Sequence, residues 1–323
     1  MSNKEMSESA APTATESRKL IPKELAIETV FGCNLSCPMC FIDMPTKRKK
    51  GVMTMELFHS IVDSMAPYVN EIERVDLWSL GEPLLDHHLF ERIGLLKERG
   101  FCNLAISTNA DLMDADRRRG LLESGIETII ISIDGIDKQT YEKIRHGADF
   151  DRVVSNTENI IKMRDEGDYD TRFIIRFIRQ ADNFDQWERF KQFWNARLSQ
   201  EKRDFATLYD MHNHGGYIAG KEDLIGCDRV SEKVETKPCH HIFRTMIVLV
   251  DGSLALCSAD FLEAQFDLGN LPVQSPIEAF NSREFNAIRD IHALGNKRKI
   301  KLCGECTVLY SEQTRETGWD RGM

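Results

Sequence analysis

Between residues 25 and about 210 the chain alternates two kinds of apolar spacing. Short continuous runs rich in β-branched residues mark strands buried on both faces; stretches whose apolar positions recur every three to four residues mark helices packed by one side. The runs predict strands over 26–31, 74–79, 103–108, 128–133, 172–178 and 206–211. The helical spacing falls between them, over 55–66, 88–99, 115–124, 150–164 and 184–194. Thr54 before "MELFHSIV" and Asp114 before "ADRRRGLLES" supply side-chain oxygens suited to capping a helix start. Strand and helix in strict alternation predict a parallel sheet of α/β class. Six such units predict a partial (β/α)6 TIM-like barrel, in which the loops at the carboxyl ends of the strands build the active site.

Past residue 215 the rhythm changes. "RTMIVLVDGSLALCSADF" reads as a β-hairpin turning on Asp251 and Gly252, and a helical pattern follows around 276–294. The expected organisation is a polar, flexible leader over 1–24, a core over 25–215, and a small cluster-binding module of hairpin and helix over 216–323. A net charge of −10 argues against nonspecific binding to nucleic-acid phosphates. No stretch approaches the ~20 apolar residues that span a bilayer. The expectation is a cytoplasmic protein with neither nucleic acid nor membrane as partner. The basic run "TKRKKG", 46–51, reads either as a solvated loop or as a dock for an acidic electron donor or anionic substrate.

The nine cysteines change the picture most. In a reducing compartment, clustered thiols more often hold metal or do redox work than form bridges. Cys33, Cys37 and Cys40 crowd the loop that leaves the first strand. Three thiolates there can each meet one iron of a cubane that normally takes four, leaving one iron open to a small molecule. A zinc site completed from afar, or an incidental group of buried cysteines, also satisfies the spacing. Cys102, entering the third strand, reads as core.

The CxxxCxxC pattern, followed directly by Phe41, resembles the radical S-adenosylmethionine (SAM) superfamily, although most members place the aromatic inside the final gap, where this chain has Met39. "SLGEPLLD", 79–86, looks like the GGEP-type motif of that family with Leu80 replacing its first glycine; "STNA", 107–110, and "SIDG", 132–135, resemble its later strand-end signatures. The resemblance implies a SAM-binding 4Fe-4S cluster on Cys33, Cys37 and Cys40, with SAM on the open iron. It implies that Gly81 admits a close backbone, that Glu82 accepts from the ammonium or ribose, and that Pro83 stiffens the turn. Asn109 and Ser132 would bind the methionyl or ribose part, or else merely finish turns; Arg176 would pair with the carboxylate, or else sit in a structural ion pair. An electron from a flavodoxin or ferredoxin type of donor would split SAM into methionine and a 5'-deoxyadenosyl radical, which takes hydrogen from carbon.

In "CHHIFRTMIVLVDGSLALC", Cys239, Gly252 and Cys257 are spaced as in the twitch and SPASM extensions of these enzymes, and Cys303 and Cys306 complete four ligands. This implies a second, closed, auxiliary 4Fe-4S cluster, with a zinc ribbon on the same thiolates as the competing reading. A single auxiliary cluster resembles the group of 2-deoxy-scyllo-inosamine dehydrogenase and related sugar and aminocyclitol enzymes. That likeness implies a small polar substrate and an oxidoreductase or epimerase outcome, with maturation of a ribosomal peptide as the alternative. Cys227 would donate a hydrogen atom in an epimerisation, or else only pack. His212, Asn213 and His214 in "YDMHNHGG" would bind hydroxyls or remove a proton, or else form a plain polar loop.

Overall fold

The computed structural model describes residues 19–218, 237–304 and 306–308. Cys227 lies outside the described residues, as does most of the leader. Among the described residues the centre is an eight-stranded sheet. The expected strands are all in it: β1 (Glu24–Ile27), β4 (Arg74–Asp76), β5 (Leu104–Thr108), β6 (Thr128–Ser132), β7 (Arg172–Arg179) and β8 (Phe205–Asp210). They pair in parallel, neighbour to neighbour. The result is an open sheet of partial-barrel type.

β5 and β6 are buried along their whole length, which is why "LAIST" and "TIIIS" carry no polar alternation. The helices supply the covering layer by one face each. α1 (Met55–Met65) buries Phe58, Ile61, Val62 and Met65 and is capped by Thr54, whose hydroxyl accepts from Leu57 N at 3.2 Å. α3 (Ala115–Glu123) is capped by Asp114. α5 (Phe150–Glu166) buries Val153, Thr157, Ile160 and Ile161, and also Arg164. That buried guanidinium meets both oxygens of Asp204 at 2.9 and 2.7 Å and donates to Thr171 O, so neither charge is left unpaired.

Several boundaries differ from the sequence reading. The first predicted strand breaks after Ile27; Val30–Phe31 form a separate short strand, β2, antiparallel to β3 (Gly51–Val52). The break follows Glu28, a buried carboxylate whose backbone N–H still reaches Val248 O at 2.8 Å. Helix α2 (Leu89–Glu98) matches its expected segment, whereas α6 starts late, at Trp187–Asn195, after a separate 3-10 turn over Ala181–Asn183. A helix that apolar spacing does not reveal, α4 (Lys138–Ile144), is short and mostly polar, capped by Asp137 and anchored by Tyr141 and Ile144. Cys102 is exposed rather than core: Phe101 and Leu104 on either side bury instead, and Asn103 turns the chain at φ 54°.

The hairpin forms as expected from β9 (Thr245–Val248) and β10 (Leu254–Ala255). Gly252 has φ 86°, and a Cβ there would stand 2.2 Å from Leu271 O, so only glycine fits the turn. The hairpin does not form a sheet of its own: β9 pairs in parallel with β1, extending the barrel sheet from its first strand. The single helix expected near 276–294 is two, Pro276–Phe280 and Arg283–Ala293, because Ser282 caps a fresh start. Arg48 of the basic run is another link between the parts. Its guanidinium pairs with buried Glu28, donates to Phe261 O, and lies 4.2 Å over the Phe31 ring.

Candidate active site

β2 leads directly into the first cysteine loop, and that loop is tied to the end of β4. Gly32 and Gly81 form a parallel bridge, and Glu82 N donates to Gly32 O at 2.9 Å. A Cβ on Gly81 would stand 2.4 Å from Val30 O, so the glycine is what lets the two backbones meet. Pro83 opens a 3-10 turn, Pro83–Leu85. Both oxygens of Glu82 are occupied by the protein's own donors: Oε1 accepts from Leu84 N at 3.0 Å and Thr108 Oγ1 at 2.6 Å, and Oε2 accepts from Asn109 N at 2.8 Å. Burial pushes this carboxyl up, and those three donors oppose the shift. Glu82 therefore laces the ends of β4 and β5 together beneath the cysteine loop.

The three thiols sit close enough on one loop to oppose each other's ionisation. Cys33 is pushed up to about 11, first by burial, with Glu82 and Cys37 adding to it and the Leu35 N–H opposing. Cys40 is pushed up to about 12, again first by burial, and feels both Cys37 and Cys33. Around Cys33, Leu35 N donates to Sγ at 3.4 Å and Asn109 Nδ2 at 3.7 Å. Cys37 has a partner that spacing did not reveal. The guanidinium of Arg145, at the end of α4, favours its thiolate against the effect of burial and is held by buried Asp134 of "SIDG", with Nε to Oδ2 at 2.7 Å.

Deeper in the sheet, Arg176 Nη2 donates to Ser107 Oγ at 2.8 Å and Ser132 Oγ at 2.6 Å. Ser132 is thus engaged by Arg176. The guanidinium stands 5.8 Å from the Trp78 ring, and its Nε is buried with no hydrogen-bond partner. Burial lowers its pKa, and Tyr209 is the first group to counter that. A cation of this kind inside a barrel mouth is suited to an anionic ligand.

The thiols of the second set oppose each other's ionisation too. Cys257 is pushed well up, first by burial and then by Cys306, Cys239 and Cys303 around it. Cys303 rises to about 12 for the same reasons. Cys239 N donates to Nδ1 of buried His292 at 3.2 Å. Among the described residues no group of three or more His, Cys, Asp or Glu closes on a point that could hold a metal ion. Each set supplies thiols, the donors that hold iron-sulfur cubanes. Buried thiols become thiolates against bound iron, so the donor sets fit such clusters.

The segment "HNHGGY" lies between the two sets. His214 packs on Phe41, next to Cys40, with ring centroids 4.6 Å apart, and Tyr217 stacks on the same ring at 5.4 Å and 8°. His212 and His214 are neighbours at 4.0 Å. On the other side, Asn213 N donates to Thr307 Oγ1 at 2.9 Å, and Thr307 N donates back to Asn213 Oδ1 at 3.1 Å, next to Cys306. The segment thus contacts the neighbours of Cys40 and of Cys306, whereas Cys227 is outside the described residues. Asn34, Trp78 and Arg145 border these groups without having been named from the sequence, although Asn34 directly follows Cys33; Ser107 lies in the "STNA" motif but was given no role.

Residues 27–171 match the Radical SAM superfamily model, and residues 239–307 match that of an iron-sulfur cluster-binding domain, SPASM. The chain is 31% identical over 112 residues to the tungsten-containing aldehyde ferredoxin oxidoreductase cofactor-modifying protein of Pyrococcus furiosus, covering 35% of this chain and 31% of the relative. It is 30% identical over 129 residues to the Fe-coproporphyrin III synthase of Methanosarcina barkeri, covering 39% of this chain and 31% of the relative. The match thus spans about a third of the length of these relatives. Among solved structures, BtrN in complex with AdoMet and 2-DOIA superposes with a TM-score of 0.61 at 19% identity, covering 90% of this chain and 94% of that one. Streptococcus suis SuiB bound to precursor peptide SuiA gives 0.60 at 17% identity, covering 83% and 66%. Native anSMEcpe with bound AdoMet gives 0.58 at 18%, covering 84% of each chain.

Proposed function

We propose that this chain, a radical SAM enzyme carrying a SPASM-type iron-sulfur domain, oxidises or inverts a carbinol carbon of a small, polar, carbohydrate- or aminocyclitol-like substrate. In this reading Cys33, Cys37 and Cys40 hold the SAM-binding 4Fe-4S cluster, and Cys239, Cys257, Cys303 and Cys306 hold the auxiliary one. When bound and reduced, the first cluster supplies the electron that cleaves SAM to the 5'-deoxyadenosyl radical, which takes the substrate hydrogen.

The observation that carries the reading is the 212–217 segment, which touches the first thiol set through Phe41 and the second through Thr307. A substrate held there borders both the site of hydrogen removal and a site that can accept its second electron. His212 and His214 of that segment would bind a hydroxyl or take its proton. Gly81 and Pro83 set the turn, Glu82 braces it, and Asn109 and Ser132 line it. Arg176, with an unpartnered Nε, would hold the SAM carboxylate. Keeping water out of this mouth and fixing the reacting carbon are the protein's own contributions. The electron donor would be of flavodoxin or ferredoxin type, in the cytoplasm. No helix among the described residues is long and apolar enough to cross a membrane.

Anaerobically reconstituted protein should contain two cubanes by iron analysis and Mössbauer spectroscopy, and should cleave SAM when reduced. With a panel of cyclitols and sugars, dehydrogenation predicts about one 5'-deoxyadenosine per ketone and retained activity in Cys227→Ala. Epimerisation predicts that this variant still cleaves SAM but yields no inverted product, and that the unaltered enzyme takes up solvent deuterium. Absence of SAM cleavage would overturn the reading. Peptide maturation is the second reading, supported by the comparable likeness to SuiB bound to its precursor peptide. It predicts turnover of a ribosomal precursor peptide and none of the cyclitols.

A further inference from the structure

Asn109 stands in the site in a way that the sequence did not suggest. Its side-chain amide has four hydrogen-bonding positions, and the surroundings fix which way it faces. Oδ1 accepts from Asp111 N at 2.9 Å, so the NH2 end must point the other way. That end is shared between Asn34 Oδ1 at 3.0 Å and Cys33 Sγ at 3.7 Å, one hydrogen for each. The backbone beneath is locked as well, because Asn109 N donates to Glu82 Oε2 at 2.8 Å and Ala110 N donates to Thr108 Oγ1 at 3.0 Å. Asn34 is held in turn by Asp111 Oδ2 at 2.9 Å. The residue is 5% exposed, so this donor is shielded from competing water.

We propose that Asn109 is a positioning residue for the first cluster: its amide N–H donates to the Cys33 sulfur and raises the reduction potential of the cluster that Cys33 ligates. The physical reason is charge. Reduction adds an electron to an already anionic core and its thiolates, and a fixed N–H dipole aimed at a ligand sulfur stabilises that added charge, more so where burial lowers the dielectric. Leu35 N–H at 3.4 Å from the same sulfur acts in the same direction, but only Asn109 does so through a side chain that can be replaced. The amide thereby makes the cluster easier to reduce, and holds Cys33 in one rotamer while it does so. This rests on the reading of Cys33 as an iron ligand.

The test is a redox titration of the reconstituted full-length protein, followed by the EPR signal that responds to added SAM, in the parent, Asn109→Ala and Asn109→Asp. Alanine removes the donor; aspartate keeps the size and the acceptor toward Asp111 N but replaces the N–H with a negative oxygen. Both variants should show a lower midpoint for the SAM-responsive cluster, with aspartate lower than alanine, and an unchanged midpoint for the second cluster, which serves as the reference within the same molecule. Unchanged midpoints at parental iron content would overturn the proposal. So would failure of both variants to load the first cluster, because the amide would then be a structural requirement rather than a tuning group. A parent protein without any SAM-responsive signal would instead sink the underlying reading, so the two failures are distinguishable.

Discussion

A methyl group at residue 81 would meet a backbone oxygen 2.4 Å away, and neither of the two bridged strands can yield without moving the cysteine loop. Gly81→Ala is therefore expected to cut iron loading of the first cluster, with the second retained; iron analysis with Mössbauer spectroscopy checks it. Arg176→Ala removes a charged donor, and affinity for SAM should fall roughly 10- to 100-fold, read by titrating the EPR signal with SAM. Thermal stability should change far less, because the hydrogen bonds it makes among the described residues are to two hydroxyls. At this scale the sequence was legible wherever the chemistry is local. The spacing of Cys33, Cys37 and Cys40 is a short-range property of one loop. Arg145 was invisible for the opposite reason: it acts on Cys37 from the end of α4 and is held by Asp134, three strand-and-helix steps along the chain. Asn109 was singled out as a candidate, but the direction of its amide could not be read, since it follows from neighbours such as Asp111 that only the fold supplies.

Helix starts illustrate what a segment alone can say. Thr54 and Asp114 announced α1 and α3 because a cap acts within three residues of itself. α4 stayed hidden because only Tyr141 and Ile144 of its seven residues bury, too few to make a periodic stripe. Its cap can be tested. The Thr140 N–H, first among several donors, holds the Asp137 carboxyl below its usual range. A depressed carboxyl contributes stability above its unfolded value of about 3.9, and that contribution is lost as pH falls through the folded value. Asp137→Ala is thus expected to cost about 1 kcal/mol at pH 7, with the difference from the parent closing as the pH approaches 3; urea unfolding at both pH values measures it. Between α5 and the chain before β8, Arg164→Ala would strand buried Asp204 and is expected to cost about 3–5 kcal/mol, whereas joint replacement of both by apolar residues of similar volume should cost much less.

For the molecule as a whole, the alternating apolar runs made the six-unit parallel array legible, because each strand needs only its own buried face to declare itself. The attachment of the hairpin was not legible, since a parallel partner can lie at any distance along the chain. Arg48 adds a second attachment, with buried Glu28 at the end of β1 and the Phe261 carbonyl beyond Cys257. Arg48→Ala leaves that carboxylate without its counter-charge. The expected result is a lower melting temperature together with faster loss of the second cluster to a chelator, followed by absorbance, while Lys49→Ala, on the exposed side of the same run, changes neither. The register of β1 against β9 also has a temporal side. Glu24 and Thr245 are bonded across a separation of 221 residues, so one edge of the earliest strand waits on the ribosome for its neighbour. At roughly 5–20 residues per second that delay is about 10–45 s. An uncovered hydrophobic edge is a template for intermolecular pairing during that interval.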